Sequence, residues 1–191
     1  MNTTEHLAQG FIGESMARNR YTMYAKAARA EGYEQISSLF LETAENERIH
    51  AKWFFNMMNE SAQKQAMPDI KVDSDVPNVL GNTVSNLKAA IMGEHHEYAE
   101  MYPEIADVAQ KEGFPLVAGR VRSIMKAEMH HEGRYQKLLD VIEKGTVFKK
   151  GGKIYWVCRE CGYVHEASEP PLTCPSCDNP RAFFQVQSEN Y

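Results

Sequence analysis

The sequence predicts a four-helix bundle of two antiparallel hairpins, followed by a small β-rich module held by metal. Three observations lead there. Four long stretches repeat their apolar residues at helical spacing. The chain repeats itself, with Glu47-Arg48-Ile49-His50 answered by Glu128-Met129-His130-His131 and Gly13-Glu14 by Gly93-Glu94. All 4 cysteines lie between Cys158 and Cys177.

The helices are expected at about 4–30, 34–62, 78–111 and 115–143. Gly32 and Gly113 stand where C-terminal caps are needed. The second stripe reads Ile36, Phe40, Thr43, Glu47, His50, Phe54, Met57. The third reads Leu80, Val84, Leu87, Ile91, Glu94, Met101, Ile105, Val108, and the fourth Val117, Val121, Ile124, Glu128, His131, Tyr135, Leu138, Ile142. Methionines of the second and third helices read as core filler. Pro103 should kink the third helix or divide it. Short turns within each half and a longer link at 67–77 imply two hairpins joined by one crossover, the ferritin-like arrangement. After Gly145 the pattern changes: 149–153 reads as a flexible polar linker, and short β-type runs follow. The expected domains are 1–148 and 149–191.

Composition narrows the function. The chain has 191 residues, 43% of them hydrophobic, and a net charge of −5. A real core is therefore expected, and a nucleic-acid surface is not. No apolar run suits a signal peptide or a membrane span, so the expected location is cytoplasmic. Cysteines clustered in such a compartment point to a metal rather than disulfides.

Glu47, Glu94 and Glu128 fall on core-facing positions, and Glu14 shares a face with Phe11, Ala17 and Tyr21. A single buried acid usually bonds a core Tyr or Arg. Four converging acids need cations. Glu47 with His50, and Glu128 with His131, each place two ligands one turn apart on one face. Two divalent metals balance four carboxylates, and two imidazoles complete the shell, the di-iron or di-manganese carboxylate pattern. Glu97, three residues after Glu94, is a surplus carboxylate that suggests ligand exchange. His95, His96 and His130 lie off these faces. Tyr21, Tyr98 and Tyr102 are candidate donors to the carboxylates. In the C-terminal module, Cys158-Arg159-Glu160-Cys161 and Cys174-Pro175-Ser176-Cys177 supply four thiolates for zinc or iron. Tyr155, Trp156, Tyr163, Phe183 and Phe184 crowd these two knuckles.

These motifs resemble rubrerythrin. The segments that carry the resemblance are Gly13-Glu14-Ser15-Met16-Ala17-Arg18-Asn19-Arg20-Tyr21, Glu47-Arg48-Ile49-His50, Gly93-Glu94-His95-His96-Glu97-Tyr98 with Met101-Tyr102-Pro103, Glu128-Met129-His130-His131, and the rubredoxin-like cysteine pairs. The resemblance implies a non-haem peroxidase that reduces hydrogen peroxide to water in an anaerobic or oxygen-sensitive cell. It implies a di-iron centre with an oxo or hydroxo bridge on Glu14, Glu47, Glu94, Glu97, Glu128 and His131, with His50 replacing Glu97 on reduction. It also implies iron on Cys158, Cys161, Cys174 and Cys177, for which zinc is a possible substitute. An external donor, rubredoxin or an NAD(P)H-dependent reductase, would supply electrons, and a head-to-tail homodimer is expected. Glu97, His50 and Tyr102 are the residues expected to act in the reaction, Tyr102 in proton traffic. Two other functions fit the ligands: ferroxidase or iron storage, and a structural protein with two zinc sites.

Overall fold

The computed structural model describes residues 1–61 and 69–189. Five α-helices lead: α1 Thr3–Ala30, α2 Glu34–Ser61, α3 Thr83–His96, α4 Tyr102–Lys111 and α5 Pro115–Glu143. A three-stranded antiparallel sheet in the order β2-β1-β3 follows, from β1 Ile154–Cys158, β2 Val164–Ala167 and β3 Phe184–Val186.

Local chemistry sets the ends. Asn2 and Glu5 form a reciprocal capping box on α1. Gly32 and Gly113 adopt φ of +82° and +87°, which a glycine tolerates at no steric cost, and so close α1 and α4. Asn82 caps α3 through the Ser85 N–H. The third helix therefore begins at Thr83, not near 78, and Leu80 is 65% exposed rather than part of the stripe. Met92 is 73% exposed, so it does not fill the core as expected. The expected end of the second helix at Ala62 and the start of the link at Met67 and Pro68 lie outside the described residues.

Contacts at the two ends set the direction of each helix. Thr3 N–H donates to Glu112, and Thr4 meets Ser61, so these mark one end. Thr83 N–H donates to Glu31 at the other. The crossover between α2 and α3 passes Gln9, which donates to the Asp73 carbonyl, and then Tyr24, which donates to the Val79 carbonyl. It thus runs the length of α1 and starts α3 parallel to α2, as the ferritin-like arrangement requires.

The third helix neither simply kinks nor breaks at Pro103. It passes through a π-turn, Glu97–Met101, where the Tyr102 N–H bonds back to the Glu97 carbonyl. Pro103 then lies in the first turn of α4, where its missing N–H costs nothing. The turn has a second effect. In an unbroken α-helix at ~100° per residue, Tyr102 would lie about 80° off the face of Glu94. The extra residue rotates it back. Tyr102, not Met101, is the fully buried side chain here.

Two apolar clusters fill the bundle. One, near the α1–α2 turn, is built on Tyr21, Tyr24, Phe40, Leu87 and Tyr135. The other, toward the opposite end, is built on Leu7, Phe54, Tyr102, Ile105 and Val121. Trp156 and Phe184 bury themselves beside Cys158 and Cys174 in the small sheet domain, whereas Tyr155 is 54% exposed and takes no part in that core. The 149–153 segment is not a free tether: Lys150 N–H donates to the Ser168 carbonyl. Tyr33 stacks on Phe148 at 6.4 Å, and Gly32 lies against Ala182, so the small domain rests on the α1–α2 corner of its own bundle. No helix among the described residues is long and apolar enough to cross a membrane.

Candidate metal centres

Between the two apolar clusters, the four long helical segments turn carboxylates inward. Glu14, Glu47, Glu94 and Glu128 are at most 1% exposed, and His131 is 2% exposed. The three-residue step of each Glu-x-x-His pair sets both members on one face, as helical spacing requires.

The geometry is near-symmetric. His50 Nδ1 lies 2.9 Å from Glu128 Oε1, 3.0 Å from Glu47 Oε2 and 3.5 Å from Glu14 Oε1. His131 Nδ1 lies 2.8 Å from Glu128 Oε2, 3.3 Å from Glu47 Oε1 and 3.4 Å from Glu94 Oε2. Glu47 and Glu128 thus present one oxygen to each histidine. Two ligand sets result, Glu14-Glu47-His50-Glu128 and Glu47-Glu94-Glu128-His131, each with its donor atoms within 4.8 Å of one another. Two phenols repeat the symmetry: Tyr21 donates to Glu94 Oε1 at 2.6 Å and Tyr102 to Glu14 Oε1 at 2.5 Å.

The donors fit two cations. Both oxygens of Glu47 and of Glu128, Oε2 of Glu14 and of Glu94, and Nδ1 of both histidines are buried and make no hydrogen bond of regular geometry, only the close ion-pair contacts within the cluster. Native interiors rarely tolerate such groups. Burial raises the pKa of Glu94 to about 8, with Glu47 and Glu128 adding to the rise. Burial, then Glu128, lifts Glu14 well above the carboxylate range. Burial opposes charge on His50 and His131, but the surrounding carboxylates outweigh it and raise both, His131 to about 12. Without metal, protons must hold this cluster together; two divalent ions would replace them.

Glu97 belongs to neither set. It is 7% exposed and lies against Gly13, with its pKa raised by burial and by Glu14 and Glu94. The structure brings His50 into the site and leaves Glu97 beside it. Tyr98, a candidate donor to the site, instead donates to Glu132 at 2.6 Å and meets His95 at 2.9 Å on the surface. His95, His96 and His130 are exposed. Asn46 escaped the sequence reading: its Oδ1 lies 3.3 Å from His131 Nε2 and can fix that ring. Its only sequence signal was its place beside Glu47.

The second site is smaller. Cys158 Sγ lies 3.8 Å from Cys177 Sγ, and Cys161 Sγ 3.7 Å from Cys174 Sγ. Neither pair is a disulfide. Four sulfurs each ~2.3 Å from one ion sit about 3.8 Å apart in a tetrahedron, so the spacing fits. Each knuckle closes with a positive φ, Gly162 at +76° and Asp178 at +58°. Asn179 Nδ2 donates to Cys177 Sγ at 3.4 Å.

Comparison with known proteins agrees with both halves. The rubrerythrin family model matches residues 5–139, and the model described as the rubrerythrin rubredoxin-like domain matches residues 156–185. A putative rubrerythrin of Methanocaldococcus jannaschii is 56% identical over 192 residues, covering 99% of this chain and 94% of that one. Rubrerythrin-1 of Clostridium acetobutylicum is 46% identical, covering 99% of this chain and 96% of that one. A solved structure of nigerythrin in its fully reduced, all-ferrous state superposes with a TM-score of 0.65 at 31% identity, over 98% of this chain and 87% of that one. With two ligand sets in a ferritin-like bundle and four thiolates in a rubredoxin-like domain, this chain belongs to the rubrerythrin family.

Proposed function

We propose that this protein reduces hydrogen peroxide to water at a di-iron centre, with electrons entering through iron on the four cysteines from an external donor. The observation that carries the reading is a buried pair of ligand sets sharing Glu47 and Glu128 in the same chain as four clustered thiolates. A ferroxidase or storage protein uses the first but has no evident need of the second. The proposed domains are 1–148 and 149–191. The first would hold the two irons on Glu14, Glu47, His50, Glu94, Glu97, Glu128 and His131.

Iron held by these residues would supply the one-electron redox chemistry that peroxide reduction needs. The chain's own groups serve the protons, since peroxide takes two electrons and two protons to give two waters. Tyr102 donates its phenolic proton in a hydrogen bond to Glu14 Oε1, 2.5 Å away. Glu97, buried beside the ligand sets, holds another when it is not a ligand. The His50 side chain, 12% exposed, is the ligand nearest solvent and marks the approach. A 390 Å³ groove between α1 and α2, lined by Phe11, Arg18, Arg48 and Phe55, contains none of the site's carboxylates. Iron held by Cys158, Cys161, Cys174 and Cys177 would supply single-electron exchange, whereas zinc would only staple the fold.

The test is anaerobic peroxide consumption with a one-electron donor and iron content measured on the same sample. Turnover that scales with iron supports the reading. Fully loaded protein that oxidises ferrous ion without consuming peroxide, and sediments as a large shell, would favour storage.

Two expected results follow from the ligand sets. Iron-reconstituted protein should hold three ions per chain, two in the bundle and one on the cysteines; elemental analysis giving a single ion would contradict this. Reduction should exchange Glu97 for His50 at one iron, because the harder oxidised ion favours carboxylate and the reduced ion accepts imidazole. His50 already lies among the shared carboxylates, and Glu97 lies close by against Gly13, so either side chain is within reach of the site. Crystal structures of oxidised and reduced protein with identical ligands would rule the exchange out.

A further inference from the structure

The two phenols at the site differ in what lies behind them. Both are fully buried, and each donates to a site carboxylate. Behind Tyr102 lies Phe54, at 5.2 Å between ring centroids. Behind Tyr21 lie two more phenols, Tyr135 at 5.5 Å and Tyr24 at 5.9 Å, with Phe40 at 6.0 Å among them. Phe40 closes the cluster, 5.1 Å from Tyr135 and 5.6 Å from Tyr24. Tyr33 packs at its edge. A core needs apolar volume here, and phenylalanine would fill it without burying hydroxyls. Three buried phenols in ring contact, one of them bonded to a metal-site carboxylate, call for another reason.

We infer that Tyr21 is a one-electron relay, which supplies the site with an electron when the external donor cannot. This rests on the peroxidase reading. Peroxide consumes two electrons and two protons. If the site holds only one electron when peroxide arrives, the second comes from Tyr21. Its O–H bond breaks, the electron passes to the site, and the proton passes to Glu94 Oε1. Tyr21 is left as a neutral tyrosyl radical. One electron from the external donor, with the proton returned by Glu94, later restores the phenol. The radical settles on Tyr21, because its neighbours have no base: Tyr24 donates to the Val79 carbonyl, and Tyr135 lies beside Thr43. Neither partner takes up a proton. Tyr102 has a base in Glu14 but no second phenol in ring contact among the described residues.

Iron-loaded full-length protein, reduced to half the electron capacity of its di-iron site, is mixed with hydrogen peroxide, frozen within milliseconds and examined by electron paramagnetic resonance. Peroxide consumption is measured on the same samples, and each signal is normalised to it. Wild type should show a tyrosyl signal that narrows when all tyrosines are ring-deuterated. The signal should be lost in Tyr21→Phe and persist in Tyr102→Phe. Replacing Tyr21 with 3-fluorotyrosine keeps the hydroxyl and its bond to Glu94, and should alter the hyperfine pattern. A signal unchanged by both replacements at position 21, or peroxide consumed by wild type with no radical, overturns the relay. Failure of wild type to consume peroxide overturns the peroxidase reading first, and the relay with it.

Discussion

Mixed dimers of Cys158→Ala and Glu97→Ala chains should recover peroxidase activity that neither parent retains. The small domain rests on the α1–α2 corner, beside Gly32 and Tyr33. From Glu34 at that corner to Glu47 is about 20 Å of helix at ~1.5 Å per residue. From Glu128 to the end of α5 at Glu143 is a further measure of the same gap, roughly 22 Å. The cysteines therefore lie at the far end of their own bundle. That gap is long for rapid electron transfer within a chain. In a two-fold, head-to-tail dimer the small domain of one chain can approach the flank of its partner's bundle. We propose this as the working route. Removing a metal ligand should cost each parent more than the ~10–100-fold typical of groups behind the ligands. Verified mixed dimers retain one complete path of two, so about half the wild-type rate is expected for a closed two-fold dimer. Mixed dimers as inactive as the parents would place the route within one chain.

Removing the metals should destabilise the protein, and by more at high pH than at low. In apo protein burial favours the protonated form of Glu14, Glu94 and Glu97, whereas His131 and His50 hold Glu47 below its ordinary value. Glu94 has an ordinary value of 4.5 and is raised to about 8 in the folded state, first by burial and then by Glu47 and Glu128. A raised folded pKa means the native state binds the extra proton between those values. The stability this contributes is full below 4.5 and lost as pH rises through about 8. Glu14 and Glu97 are raised for the same first reason, burial, and act in the same direction. Metal binding runs the other way, since it needs deprotonated ligands. The melting temperature of apo protein should fall from pH 5 to pH 8.5, while that of iron-loaded protein holds or rises. At the upper end unpaired buried charge costs about 3–5 kcal/mol, or roughly 10 °C or more for a chain of this size. Calorimetry of both forms across that range checks the sign. An apo form that gains stability with pH would refute the account.

Periodicity explains how much was legible. A three-residue step within a helix always places two side chains on one face, so Glu47 with His50 and Glu128 with His131 were readable without knowing what faces them. The repeat of the two halves, the glycine caps and the CxxC pairs are read from the sequence in the same way, and they sufficed for the bundle and for the gathering of Glu14, Glu47, His50, Glu94, Glu128 and His131, though not for the place of Glu97 outside both sets. What the sequence could not decide depends on contacts between distant segments. The π-turn at Glu97–Met101 adds a residue to one turn and moves Tyr102 onto Glu14. No stripe at α-helical spacing anticipates that, because the stripe assumes an unbroken ladder. The choice of His50 over Glu97 rests on which side chain reaches the shared oxygens of Glu47 and Glu128. Asn46 matters only because His131 arrives from another helix. The seat of the small domain depends on Phe148 meeting Tyr33 and Ala182 meeting Gly32 across a segment that reads as a loose tether. Helical spacing is a property of a few adjacent residues, whereas each of these outcomes is settled by packing between segments far apart in the chain.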